Sequence, residues 1–167
     1  MSFAEAQDES HHNRQPVPLM DAALFDRTFD EGMALVEETA RYLDGPGREE
    51  SRTLPRSAAL LYAGESMRVT TRLMQAASWL LIQRAVREGE MCPEAAAGER
   101  YRLGSKEICL GGRSENLELL PLILRDLLDR SESLYRRIAR LEEAILRATA
   151  KPPLQAQFER LRQTFGT

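Results

Sequence analysis

The sequence has few of the residues on which metal sites and disulfide-rich folds depend. Its 167 residues include two cysteines, Cys92 and Cys109, and two histidines, His11 and His12. Two cysteines cannot form the disulfide framework of a secreted domain, so a reducing cytoplasm is the expected location. Zinc needs four ligands, and no histidine lies near either cysteine, so we predict no metal site.

Patterns typical of enzymes and membrane proteins are also missing. Both histidines lie in a polar N-terminal stretch, so no Ser-His-Asp or Cys-His arrangement is suggested. No glycine-rich phosphate loop follows a strand, and no segment shows the alternation of a strand. No apolar run approaches the ~20 residues of a membrane span, and no signal core is present. We therefore predict a soluble, non-enzymatic protein that uses no cofactor and no membrane.

The net charge and the length of the chain narrow the remaining choices of function and domain organisation. The chain carries 23 Lys and Arg against 26 Asp and Glu, a net charge of −3, whereas a nucleic-acid-binding protein needs a basic excess. The length suits one domain with its own core. We predict a helical domain over residues 19–150, a disordered arm over residues 1–18, and a flexible or amphipathic tail over residues 151–167.

The first predicted helix has clear limits. Asp21 is a good N-cap, and the helix is expected to end at Asp44. Gly45 would then take the left-handed position after the helix, and residues 45–54 would form a charged connector. Gly32, and Gly64 in the next helix, predict close approaches between helices, because glycine inside a helix costs ~1 kcal/mol relative to alanine.

The second predicted helix, residues 57–88, is the longest element. It contains one glycine and no proline, and at ~1.5 Å per residue it would span roughly 50 Å. Apolar side chains at alternating spacings of three and four predict its packed face: Leu60, Ala63, Met67, Thr70, Met74, Ala77 and Leu81. A second apolar row lies beside them: Tyr62, Val69, Leu73, Ala76 and Leu80.

The opposite side of this helix changes character along its length. Its first half carries a polar stripe, interpreted as either surface salt bridges or a partner-binding surface: Glu65, Arg68, Arg72 and Gln75. Further along, apolar residues take over the same side: Trp79, Ile82 and Val86.

The third predicted helix has the clearest repeat, over residues 117–148. Pro121 marks either its regular start or a kink. Its other faces carry interleaved acidic and basic residues, as expected for a solvated flank. The predicted fold is all-α, an antiparallel bundle of three long helices. A parallel third helix stays open, because residues 91–116 are long enough to cross the bundle.

The helix lengths predict self-association. In an up-down-up bundle the shorter first helix would leave one apolar end uncovered, which soluble monomers avoid. We predict a homodimer, since symmetric dimers are the commonest solution. Its expected interface is Trp79, Ile82, Val86, Leu119, Leu122 and Ile123. The alternative is that residues 91–116 fold back over this end.

The tail carries apolar residues at helical spacing, and we predict that it docks either on its own bundle or in a partner's groove: Leu154, Phe158, Leu161 and Phe165. With the polar stripe, it is the second candidate partner-binding surface.

Two stretches resemble a known family. GMALVEETARYLD and ESMRVTTRLMQAASWLLIQRAV are similar to the small alphaproteobacterial family that includes the regulator of CtrA degradation. The resemblance covers roughly residues 20–90. It implies a dimeric, helical adaptor without an active site that helps the ClpXP protease receive cell-cycle regulators, with protease components and regulatory substrates as partners. The alternative function is a helical dimerising module of a nucleic-acid-associated or transcription-regulatory protein.

Overall fold

The computed structural model of the chain describes residues 21–150. The described residues form six α-helices and two short 3₁₀ turns, with no strand among them, which confirms the all-α class. The helices are α1 (Ala22–Asp44), α2 (Pro46–Thr53), α3 (Arg56–Arg87), α4 (Pro93–Ala96), α5 (Lys106–Cys109) and α6 (Leu122–Ala150). The predicted arm (1–18) and the predicted tail (151–167) lie outside this range.

The predicted limits of α1 are confirmed, but the prediction that residues 45–54 form a connector is wrong. Asp21 caps the helix, since its Oδ1 accepts a hydrogen bond from the backbone N–H of Ala23 at 3.3 Å. Gly45 has a φ of −113° and is not left-handed. Pro46 occupies the first position of α2, where a missing N–H costs nothing, so the expected connector is a two-turn helix.

Helices α1 and α3 run antiparallel along most of their length. An added Cβ on Gly32 would lie 2.8 Å from Leu80 Cδ1, so the predicted close approach at this glycine is confirmed. Nearer the start of α1, the Arg87 guanidinium lies 4.5 Å above the ring of Phe25. Gly64 faces open space, so the close approach predicted there is wrong.

Helix α6 runs parallel to α3, and the predicted antiparallel third helix is wrong. Glu31 pairs with Arg137 and Glu38 with Arg130, both at 2.7 Å, so α6 is antiparallel to α1. Because α3 is also antiparallel to α1, α3 and α6 point the same way. Residues 89–121, here called the crossover, carry the chain back from the end of α3 to the start of α6.

The core lies between the three long helices. The repeat predicted for the third helix is confirmed, since α6 begins directly after Pro121 and buries this row: Leu124, Leu127, Ser131, Leu134 and Ile138. The face predicted for α3 is wrong. The buried row is the second one, Tyr62, Val69, Leu73, Ala76 and Leu80.

Candidate functional site

The polar stripe of α3 is covered by the crossover. Residues that we expected at the surface bind crossover atoms one after another, in reverse chain order. Arg68 Nη1 donates to the carbonyl of Gly112 at 3.0 Å, and Gln75 Oε1 accepts from the N–H of Gly104 at 2.8 Å. The crossover therefore runs antiparallel along α3 and is tied to it by side chains.

Two of the stripe residues are buried. Glu65 accepts a hydrogen bond from the Ser114 hydroxyl, and Arg72 Nε donates to the carbonyl of Cys109 at 2.9 Å. Both Glu65 and Arg72 are nearly inaccessible to solvent. The expectation of a solvent-facing stripe is therefore wrong for Glu65 and Arg72, because Glu65 binds a side-chain hydroxyl and Arg72 a backbone carbonyl of the irregular segment that lies over them.

Arg72 is the most deeply placed charge of the stripe, with an exposed fraction of 2%. Its Nη1 donates to the Leu128 carbonyl at 3.2 Å, and its Nη2 lies 3.7 Å from Glu132 Oε2. Burial lowers the pKa of Arg72, and the charge of Glu132 acts against this shift. Burial also acts to raise the pKa of Glu132, but hydrogen bonding from Arg136 and the charge of Arg72 lower it overall.

The predicted dimer-interface residues are divided between the interior and the surface. Trp79 has an exposed fraction of 3% and lies under the crossover, while Ile82 and Val86 are half-buried. The folding-back alternative therefore describes this end of α3. Residues still open to contact lie around the start of α6: Leu119, Leu122 and Ile123. The predicted tail contacts lie outside the described residues: Leu154, Phe158, Leu161 and Phe165.

The face of α3 that we predicted to be packed is instead exposed. We call Leu60, Met67, Met74 and Leu81 the α3 seam; their exposed fractions are 68%, 71%, 65% and 52%. They recur every seven residues, and Ala63, Thr70 and Ala77 lie between them. This is the a and d pattern by which one helix packs against another.

The exposed face around the seam carries no charge over much of α3. Between residues 57 and 83 the charged side chains are Glu65, Arg68 and Arg72, and all three are turned to the crossover. Small residues such as Gly64 and Ser78 flank the seam, so a second backbone can approach closely. A long, apolar, uncharged face on a chain with 29% charged residues is typical of interaction surfaces.

A groove between α1 and α3 extends this apolar face. It has a volume of about 310 Å³ and borders the seam at Met74. Its walls are almost entirely apolar, with Val36, Ala40 and Leu43 from α1 and Leu73 from α3. The seam and the groove together form a surface that suits an additional helix.

Residues 21–150 match neither the pattern of a metal site nor that of a membrane-spanning helix. Among residues 21–150, no three His, Cys, Asp or Glu side chains are grouped as metal ligands. No helix in this range is both long enough and apolar enough to cross a membrane.

These features describe an all-helical protein whose main accessible feature is an apolar contact face. Residues 17–165 match the family described as a protein of unknown function, DUF1465, and the chain belongs to this family. It is similar to the crystal structure of RcdA from Caulobacter crescentus CB15, with 55% identity and a TM-score of 0.63. The match covers 77% of this chain and 95% of that chain. A comparison with curated proteins gives no match.

Proposed function

We propose that the chain is a non-enzymatic adaptor of regulated proteolysis in the cytoplasm. RcdA is a regulator of CtrA degradation, and the identity of 55% over most of both chains supports a related role here. The adaptor would hold cell-cycle regulators near the ClpXP protease. Tethering raises the local concentration of a substrate to roughly millimolar for short connections, so each contact can be weak and reversible.

The observation that carries this proposal is the exposed α3 seam. Its four large apolar side chains and the adjoining groove offer contact area without catalytic groups. An amphipathic helix placed there would add one more helix to the long helices of the core.

We further propose that a second copy of the chain can occupy the seam. The seam is symmetric about Thr70 and Thr71, because Leu60 and Leu81 lie at similar distances on either side of them. In an antiparallel pair of α3 helices, Leu60 would meet the partner's Leu81, and Met67 would meet the partner's Met74. No charged side chain opposes this pairing between residues 57 and 83. The alternative dimer interface is the exposed apolar patch of Leu119, Leu122 and Ile123 at the start of α6.

A reconstituted degradation assay tests the adaptor function. Purified ClpXP and a cell-cycle regulator of the same organism are mixed with wild-type protein, and loss of the regulator is followed over time. The proposal predicts faster degradation with the wild type and little acceleration with Met67→Glu/Met74→Glu. The matched control, Leu122→Glu/Ile123→Glu, places the same charges on another exposed apolar patch and should retain activity. Equal degradation with and without the wild-type protein would refute the adaptor function.

A further inference from the structure

A cleft opens between the C-terminal half of α3 and the turn at residues 99–102. It has a volume of about 430 Å³ and is bordered on one side by Trp79 and Ile82. On the other side stand Arg100, Tyr101 and Arg102. The crossover creates this cleft, because it places a basic turn beside the apolar end of a helix that lies distant in sequence.

The basic side chains of the cleft are held in place without a carboxylate. Arg100 lies with its Cζ 4.8 Å above the ring centre of Tyr101, and Arg102 Nε donates to the Ala97 carbonyl at 3.4 Å. Within residues 21–150, neither arginine forms an ion pair. Much of each guanidinium is therefore free to donate to a ligand.

The described lining of the cleft contains no acidic side chain. Gln75 uses its Oε1 to accept from Gly104, which leaves its amide N–H groups as donors, and Ser78 adds a hydroxyl. The cleft thus combines several donors with an apolar wall. Glu99 begins the same turn but does not line the cleft. In a chain with a net charge of −3, a concave site lined by two arginines and no acidic side chain favours an anionic ligand.

We propose that this cleft binds an acidic peptide segment of a protein partner, one that also carries an apolar side chain. Planar guanidinium groups match carboxylates with paired hydrogen bonds. Leu81 and Ile82, the accessible apolar residues of the lining, would contact the apolar side chain, while an inorganic anion would leave that wall unused. The proposal rests on the adaptor function in one respect, because the peptide would belong to a protein that the adaptor carries.

Leu81 lies in both the seam and the cleft lining, so the two surfaces are continuous. A partner could place a helix along the seam and an acidic extension in the cleft. The signal in the sequence is the run ERYR at residues 99–102, which becomes informative only once the crossover is placed beside Trp79.

Trp79 is the only tryptophan of the chain and serves as the reporter for a binding test. The probe is Gly-Asp-Leu-Asp-Phe-Gly-amide with fluorescein on its N-terminal amine, and the unlabelled peptide carries an acetyl group there instead. Two control peptides replace both aspartates with lysine, or Leu and Phe with serine. We expect the fluorescence anisotropy of the probe to rise to saturation as protein is added, and the unlabelled peptide to change the emission of Trp79. Both control peptides should bind at least about tenfold more weakly than the probe. Equal binding of all three peptides, or none at millimolar probe, would overturn the proposal.

Charge-reversal variants locate the binding. Arg100→Glu/Arg102→Glu should weaken binding of the probe at least tenfold, because two guanidinium donors are replaced by carboxylates that repel the aspartates of the probe. Arg125→Glu/Arg140→Glu makes the same change in net charge at two exposed positions of α6 and should bind as wild type. An equal loss in both variants would show a general charge effect and contradict the assignment to the cleft. Circular dichroism checks that both variants remain folded.

The peptide-binding assay and the degradation assay, both done with the wild type, separate this proposal from the adaptor function. If the probe binds in the cleft but the wild type does not accelerate proteolysis, the adaptor function fails and the peptide site stands. If the wild type accelerates proteolysis but does not bind the probe, the cleft proposal fails and the adaptor function stands.

Discussion

Arg72 donates through Nε to the carbonyl oxygen of Cys109 at 2.9 Å, across 37 positions of sequence. The same guanidinium reaches the Leu128 carbonyl at 3.2 Å. One side chain of α3 therefore joins the crossover to α6. The crossover in turn covers Trp79, so this contact keeps the core closed on that side.

Replacing Arg72 with methionine should lower the free energy of unfolding by about 3 kcal/mol. The change keeps much of the side-chain volume but leaves buried carbonyl oxygens without their donor. Urea denaturation measures the loss. Arg68→Met is the matched control, since Arg68 makes a single bond to the crossover at 3.0 Å and is more accessible, and it should cost about 1 kcal/mol. Equal losses in the two variants would contradict the claim that Arg72 stabilises the fold more than Arg68 does.

The Cys109 thiol should report opening of the crossover. Cys109 is fully buried and Cys92 is exposed, and burial raises the pKa of the Cys109 thiol, so it should react slowly. In a Cys92→Ser background, Arg72→Met should speed labelling of Cys109 by a thiol reagent at least tenfold under native conditions. Labelling that is fast in both proteins would show that the crossover does not protect this site.

Two glycines should respond oppositely to alanine. An added Cβ on Gly47 would lie 2.6 Å from Tyr62 Oη and 2.8 Å from ring atoms of Tyr42, so Gly47→Ala should destabilise the fold by about 1–3 kcal/mol. Gly64 lies inside α3 and faces open space in the single chain. In the monomeric Met67→Glu/Met74→Glu background, Gly64→Ala should therefore stabilise the fold by about 0.5–1 kcal/mol. Thermal unfolding compares the two variants. A neutral Gly47→Ala would show that α2 packs more loosely than described.

Alkaline pH should destabilise the protein through its buried tyrosines. Burial raises the pKa of Tyr42, Tyr62 and Tyr135, and the bond from Tyr42 to Glu50 raises the pKa of Tyr42 further. Above pH ~10 the unfolded chain loses protons that the folded chain keeps, so the unfolding free energy falls as pH rises. Below that pH the contribution is fully present.

Urea denaturation between pH 8 and pH 11 measures how steeply the unfolding free energy falls with pH. Tyr42→Phe removes one of the three buried hydroxyls and should reduce the contribution of the tyrosines to this fall by about a third. A slope that is unchanged in Tyr42→Phe would mean that this hydroxyl ionises equally in both states.

Local signals in the sequence located the long helices well. Asp21 caps α1 through its own side chain, and Pro121 immediately precedes α6, so both limits depend on near neighbours in the chain. The row of α6 from Leu124 to Ile138 is also correct, since that helix has a single apolar stripe with charged flanks.

The orientation of α3 could not be predicted in the same way. This helix has two apolar rows, one at Leu60 and Met67 and another at Tyr62 and Val69, and both have helical spacing. Periodicity cannot decide which row meets the core of the same chain. Likewise, the burial of Arg72 depends on the path of the crossover, which has no periodic pattern.

The measurement that most directly tests the seam as a contact surface is light scattering during size-exclusion chromatography. The chain has a mass of 18.9 kDa, so we expect a wild-type mass of about twice 18.9 kDa. Met67→Glu/Met74→Glu should reduce it to the monomer value, while Leu122→Glu/Ile123→Glu should leave it unchanged. A seam variant that remains dimeric, or a wild type that is monomeric at all concentrations tested, would contradict self-association through α3.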